Sequence, residues 1–392
     1  MTNRSLLFSK HLDSAPFKDF NVEIEVIGAG LHKEELWVRR NEILPIENYE
    51  VKKAEKVNGK IKGIYGVFHI IDADTIELHN NSSQPLLIGT LKNHGLKRHN
   101  LVEILYDCET KEVNVLRNVE PSEVDKRDIL PTSVDFVQFR DELVYYTLLT
   151  PKEYQEVILT VLENVWDSFK YVPGSVAGHH IHLGGLLEHT VEDIRVAKGI
   201  NERNAYEQDR LLGSIYSLSA SVYWEELRKK RNGEFTETAL NYMVSDFYAV
   251  ADKYLSLKGD ILFEDIVLSF LLHDLGKVVE ITYLNDDVTK YTALGMGDVH
   301  NEQLSTVTFV EPDAIGNQFG HVVSSMLMFN NLSKSKDLDL VLINRIIATH
   351  HGYIPYGSIK QAESKFEYLI HISDKINALF CGVNKRNDIK YS

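Results

Sequence analysis

The hydrophobic pattern changes character once along this chain. From about residue 20 to residue 120, apolar residues come in short runs rich in Val, Ile, Leu and aromatics: "FNVEIEVIGAG", "EELWVRR", "YGVFHIIDADTIELH", "QPLLIGTL", "LVEILYD" and "EVNVLRNVE". Clusters of Gly, Asn and Asp separate them, a spacing that predicts a small barrel or sandwich. "DAD" inside the third run reads as a hairpin turn, and the acidic, proline-marked "EPSEVDKRDILPTS" as a linker. From Asp135 onward the period becomes helical. The segments are "DFVQFRDELVYYTLL", "PKEYQEVILTVLENVWDSFKYV", "LGGLLEHTVEDIRVAKGI", "QDRLLGSIYSLSASVYWEELRKKR", "ETALNYMVSDFYAVADKYLSL", "DILFEDIVLSFLLHDLGK", "GHVVSSMLMFNNL", "LDLVLINRIIATHHG" and "SKFEYLIHISDKINALF". Pro151 suits a first turn, and Gly352 suits a helix end. The pattern therefore predicts a β-rich domain over 1–125 and an α-helical domain over 135–392, with no internal repeat.

Composition narrows this only a little. The 392 residues are 44% hydrophobic and 25% charged, ordinary for a globular protein, and nine prolines without low-complexity tracts argue against long disorder. No stretch reaches the roughly 18 apolar residues of a membrane span, and the amino terminus does not read as a secretory signal. Two distant cysteines, Cys108 and Cys381, suggest no disulfide framework, so a cytoplasmic location is expected. A formal net charge of −15 opposes non-specific binding to a polyanion. It leaves room for a phosphate-handling enzyme, because bound cations reverse the local field. Basic residues concentrate in "VKKAEKVNGKIK" (51–62) and "LKNHGLKRHN" (91–100), either as nucleic-acid contacts or as solvated loop charges.

One apolar run carries charge where none is expected. "FLLHDLGKVVE", Phe270 to Glu280, places a histidine, an aspartate and a lysine within five positions, after "GDILFEDIVLS". A helix apolar on nearly every side is buried, so its His and Asp must be paired, hydrogen-bonded or metal-bound. Other apolar helices hold similar groups. His189 lies in "GGLLEHTVED", His321 opens "GHVVSSM", and His350 and His351 close "IIATHHG". Asp374, in "YLIHISDKINALF", follows Ile370 by one turn. Each alone would pass as a hydrogen-bonded core group. With His273 and Asp274, they make seven such groups on five helices, and imidazole with carboxylate is the ligand set of divalent transition metals. Facing helices of a bundle are also a usual place for a two-metal site.

The order H…HD…H…HH…D resembles the HD-domain metal-dependent phosphohydrolases. "HHIHLGGLLEHTVEDI", "LLHDLGKVVEITY", "YTALG", "GHVVSSM", "IIATHHGYIPYGS" and "EYLIHISDKINALF" resemble, in that order, segments of YhaM-type 3'–5' exoribonucleases, between about Leu149 and Phe380. The resemblance implies an α+β multidomain chain, with a small OB-like nucleic-acid-binding domain followed by an all-α HD bundle. It implies two divalent metal ions: manganese first, with iron, magnesium, cobalt, nickel or zinc as alternatives. One metal would take His189, His273 and Asp374, with Asp274 bridging to a second completed by His321, His350 and His351. Such a pair generates a hydroxide that attacks phosphorus. Lys277, one turn beyond His273, would donate to a phosphate oxygen and join Asp274 as a catalytic residue. His180 and His182 would orient a ligand or touch substrate, or else belong to a bland polar loop. Tyr353 and Tyr356 would stack on a base, or else pack the loop.

Three departures from that pattern stand out. Between His189 and His273 the chain is longer by roughly 50 residues, near 201–258, enough for two ordinary helices. A second insertion spans 295–318, and Asn377 stands where an acid is frequent in the family. The leading expectation is a phosphodiesterase, a 3'–5' exonuclease on single-stranded RNA or DNA, with self-association into a homo-oligomer allowed. A cyclic or signalling nucleotide phosphodiesterase is the nearest rival. A mononuclear nucleotide hydrolase would leave His321, His350 and His351 idle. A di-iron oxygenase uses similar ligands and would reveal itself by bound redox-active iron. A non-catalytic nucleic-acid-binding protein is the remaining class.

Overall fold

The structure, a computed structural model, describes residues 35–49, 54–81, 86–92, 94–97, 100–129, 132, 134–175, 179–180, 182–231, 240–283, 288–295, 310–312, 316–333 and 338–378. The run "FNVEIEVIGAG", most of the second insertion and Cys381 lie outside these residues. The main sheet precedes the helical bundle, as the change of period predicts.

The β region turns on one long strand. β1 (Glu55–Val57) and β2 (Lys60–Ile70) form a hairpin through Asn58-Gly59, both at positive φ (49° and 75°). Such a pair is a strong short-range hairpin signal, because a turn of this twist needs two left-handed residues. The "VKKAEKVNGKIK" segment is thus partly sheet. Its Lys60 and Lys62 lie near Asp107 and Glu103 of a neighbouring strand, at 3.8 and 3.3 Å, so part of its charge is neutralised. β3 (Thr75–His79) returns along β2 after the "DAD" turn, as expected, and β4 (Leu86–Thr90) pairs with β3. β5 (Leu101–Asp107) takes the other side of β2, and β6 (Val113–Asn118) pairs with β5. The order β4-β3-β2-β5-β6 curls until its edges touch at one parallel bridge, Thr90 to Glu112. Alternate residues Ile61, Tyr65 and Val67 of β2 meet Ile76, Leu78, Val102, Ile104 and Val113 in a core inside this curl.

Two expectations in this half are corrected. "EELWVRR" is a helix, α1 (Glu35–Ile43), not a strand. Leu36, Trp37, Ile43 and Leu44 recur at helical spacing and pack against the helical core, so tertiary burial decided its state. The stretch taken for a linker is packed: a 3-10 turn (Pro121–Glu123) and α2 (Lys126–Ile129) bury Val124 and Ile129.

All nine segments of helical period are helices. They are α3 (Phe136–Leu148), α4 (Lys152–Phe169), α5 (Gly185–Asn201), α6 (Ala205–Arg231), α7 (Leu240–Ser256), α8 (Phe263–His273), α10 (Gly316–Leu332), α11 (Leu340–Thr349) and α12 (Lys365–Asn377). A single turn, α9 (Lys277–Glu280), follows α8, and β7 (Ile281–Tyr283) pairs with β8 (Val310–Pro312). The first insertion is the two helices α6 and α7. Ends follow local chemistry: Asp135 caps α3 through the Gln138 amide, and Ser364 with Glu367 forms a capping box on α12. Helix α8 lies at the centre, against α3, α4, α5, α10, α11 and α12. Every residue from Asp265 to His273 is buried, which explains an apolar sequence all round. The segment after α1 is fastened to this body, where Trp166 Nε1 donates to the Pro45 carbonyl at 2.9 Å and Lys170 pairs with Glu47 at 2.8 Å.

A candidate metal centre

The motif that raised the question breaks its helix at the informative place. α8 ends on His273, and Asp274 takes φ −112°, ψ 7°, the bridge region where many site residues sit. The chain can turn there because Gly276 has no side chain. A Cβ on it would collide with the His321 carbonyl and reach to 2.8 Å from Ser324 Cβ. The Gly276 amide donates to Ser325 Oγ at 2.7 Å, and Ser325 Oγ donates to the His273 carbonyl at 3.2 Å. The turn is thereby clamped onto α10, which is kinked at Gly320 so that His321 opens its regular part. α11 ends at Thr349 and releases His350 and His351. Gly352 then turns at φ +75° against the His371 ring, whose Nδ1 donates to the His350 carbonyl at 3.0 Å.

These elements bring all seven of the expected groups together around Asp274. Its Oδ2 lies 3.3 Å from His189 Nε2 and 3.4 Å from His273 Nε2, and it is ion-paired with Lys277. Its Oδ1 faces the other way, 3.5 Å from His321 Nε2 and 3.7 Å from His350 Nε2. Asp374 Oδ1 is 3.3 Å from His189 Nε2, and His351 Nε2 is 2.9 Å from His321 Nε2. One carboxylate thus stands between two donor groups. His189, Asp193, His273 and Asp374 form one, and His321, His350 and His351 the other.

The donors suit divalent cations. His273 Nδ1 donates to the Phe270 carbonyl at 2.8 Å and His350 Nδ1 to the Ile347 carbonyl at 2.7 Å, so each ring presents a bare Nε2 inward. Glu280 accepts from His321 Nδ1 at 2.9 Å, the carboxylate–histidine arrangement that orients metal-binding rings. His189 Nε2, Asp193 Oδ2, His273 Nε2, Asp274 Oδ1 and His350 Nε2 are buried without a hydrogen-bond partner among the described residues. Buried polar atoms are rarely left so, and a cation shared by each group would satisfy them. Donors about 2.1 Å from a common ion lie roughly 3.0–3.4 Å apart, close to the spacings found.

Burial and the clustered charges shift these groups in opposite directions. Burial alone would discharge His189, but Asp193, Asp274 and Asp374 outweigh it and lift its pKa to about 10. Burial raises the Asp274 carboxyl, yet Lys277, His273 and His189 hold it well below the usual range. Asp193 is pushed well up by burial, against His189. Burial, aided by its neighbour His351, drives His350 well down, and His351 falls to about 4 by burial and His321.

Other expected residues fall into different roles. Lys277 is buried against Asp274 rather than solvated. His180, for which orienting a ligand, touching substrate and a bland loop position were the alternatives, is fully buried, at φ 52°, with Nε2 3.1 Å from Glu192 Oε2. His182 is buried on Glu188 at 2.8 Å. Their neighbour His179 is the partly exposed ring, 5.0 Å from the His189 ring. Tyr353 packs against the core edge-on to His371, and Tyr356, 41% exposed, donates to Asp246 of α7 beneath Lys375. Sequence reasoning passed over Asp193, His179 and Glu280. The signal for Asp193 was its spacing, one helical turn after His189. Glu192 and Arg195 beside it disguised that face as solvated.

Comparison with known proteins gives an independent view. The chain is similar to 3'-5' exoribonuclease YhaM of Listeria welshimeri serovar 6b, at 22% identity over 335 residues that cover 84% of this chain and 73% of that protein. It is also similar to 3'-5' exoribonuclease YhaM of Bacillus velezensis, at 29% over 158 residues, 38% of this chain and 41% of that one. No family model matches the chain, and no solved structure matches it. The YhaM-type relationship that the motifs suggested therefore extends over most of the chain.

Proposed function

We propose that this chain is a metal-dependent phosphodiesterase that removes nucleotides 3' to 5' from single-stranded RNA or DNA. The observation that carries it is Asp274, whose two carboxylate oxygens face two separate donor groups. His189, His273, Asp274 and Asp374 would hold one divalent cation, and Asp274, His321, His350 and His351 a second. When bound, such a pair supplies positive charge for entering and leaving oxygens and lowers the pKa of a water nucleophile. The relatives' names support a ribonuclease reading.

The chain's own residues prepare the rest. The Phe270 and Ile347 carbonyls and Glu280 fix three imidazoles before substrate arrives, so little reorganisation remains. Lys277 is ion-paired with Asp274, and with cations bound at that carboxylate its ammonium would donate to a non-bridging phosphate oxygen as a point charge. His179, partly exposed beside His189, would be available to meet the substrate. The β region, with its order β4-β3-β2-β5-β6 and parallel closure, is read as an OB-like barrel, a fold suited to single strands. A cavity of about 570 Å³ beside β6, lined by Lys92, His94, Asn100, Asn114 and Asn118, is its candidate contact with the strand.

The test is manganese-dependent release of mononucleotides from a 5'-labelled single-stranded oligonucleotide. Asp274→Asn is expected to abolish it while the helical circular-dichroism signal persists. Undiminished turnover in that variant rules out the bridging role. Cyclic mono- and dinucleotides in the same panel separate the nuclease from a signalling phosphodiesterase.

A further inference from the structure

We propose that Asp193 is an additional ligand at the first metal position, and that it sharpens the chemical difference between the two positions. The inference rests on the metal-dependent reading above. Asp193 is fully buried, one turn after His189 on α5. Its Oδ1 accepts from the Asn377 amide at 2.9 Å, which fixes the carboxylate plane. Its Oδ2 has no hydrogen-bond partner among the described residues and points to the same space as the rings, 3.3 Å from His189 Nε2 and 3.6 Å from His273 Nε2. An Asp serving only as a core partner would have both oxygens engaged, because an orphaned buried carboxylate oxygen is costly. This one is aimed where a cation between His189, His273 and Asp374 would sit.

The consequence is an asymmetric pair. The first position would be rich in oxygen, with Asp193, Asp274 and Asp374 beside two imidazoles. The second would be rich in nitrogen, with three imidazoles and Asp274. Carboxylate-rich sets suit manganese and magnesium, while imidazole-rich sets suit zinc and nickel. Asn377 belongs to the same arrangement: its amide orients the acid contributed by α5.

The experiment uses the full chain, stripped with a chelator and assayed by calorimetry and elemental analysis, without reference to activity. Wild type is expected to bind two Mn²⁺ per chain and, given one equivalent each of Mn²⁺ and Zn²⁺, to retain one of each. Asp193→Asn keeps shape and is expected to weaken Mn²⁺ at one position by at least about tenfold, with Zn²⁺ at the other unchanged. Two Mn²⁺ bound to that variant at wild-type affinities would overturn the proposal. Should the variant fail to fold, electron paramagnetic resonance of wild type with one Mn²⁺ decides: nitrogen couplings from two histidines support the assignment, and couplings from three overturn it. A wild-type chain that binds no divalent metal sinks the proposed function together with this inference. A chain that binds two but ignores Asp193→Asn sinks this inference alone.

Discussion

At the scale of single residues, the site depends on groups that hold other groups. Gly276 lets α8 end against α10, and a methyl there meets the His321 carbonyl. Gly276→Ala is expected to cost about 1–3 kcal/mol in chemical denaturation, the usual range for overpacking, and to loosen metal retention as well. Glu280 accepts a hydrogen bond from His321, so under the proposed function it would act through that ring rather than on substrate. Glu280→Gln should weaken divalent-metal affinity by about 10–100-fold with little change in the melting temperature, read by calorimetry and thermal denaturation. His273, Asp274 and the histidine doublet were legible because polar groups among large apolar residues demand an explanation. His179 was not legible, because the partial exposure of one ring beside a buried neighbour is not written in the sequence.

Among the elements, long periodic segments were read correctly and short ones less well. The nine helices carry enough turns for their apolar stripes to declare themselves. α1 has only nine residues, and its Leu36, Trp37 and Val38 read equally as part of a short β run until α3 packs against it. The β1–β2 hairpin was announced by Asn58-Gly59 but obscured by its lysines. The capping box on α12 deserves a test, since that helix carries Asp374 and Asn377. Ser364→Ala is expected to cost about 1 kcal/mol, measured by denaturant titration. The inserted α7 packs on the same helix and ties Asp246 to Tyr356 and Lys375, so the insertion braces the loop after the histidine doublet.

Over the whole molecule, two hydrophobic cores organise the chain, one inside the curled sheet and a larger one among the helices. The larger core also takes in Leu36, Leu44, Leu101, Val119, Val124 and Ile129, so the two halves are packed together. Glu47 helps hold them. Burial would raise its carboxyl, but hydrogen bonds from Lys170 and Tyr171 win and bring it from 4.5 to about 2. A lowered folded pKa means stability that is present above 4.5 and lost as the pH falls towards 2. The melting temperature of Glu47→Gln should therefore fall less than that of wild type across this window. No helix among the described residues is long and apolar enough to cross a membrane.

The amino-acid order alone determined the change from strands to helices at Asp135, the helical frame and the chemistry of the seven clustered groups, because period and polarity are local properties. Tertiary structure decided the rest. It chose which oxygen of Asp274 faces which histidines, brought Asp193 beside a ring from α8, and made a helix of α1. Those outcomes depend on distances between segments far apart in the chain, and no local pattern encodes them.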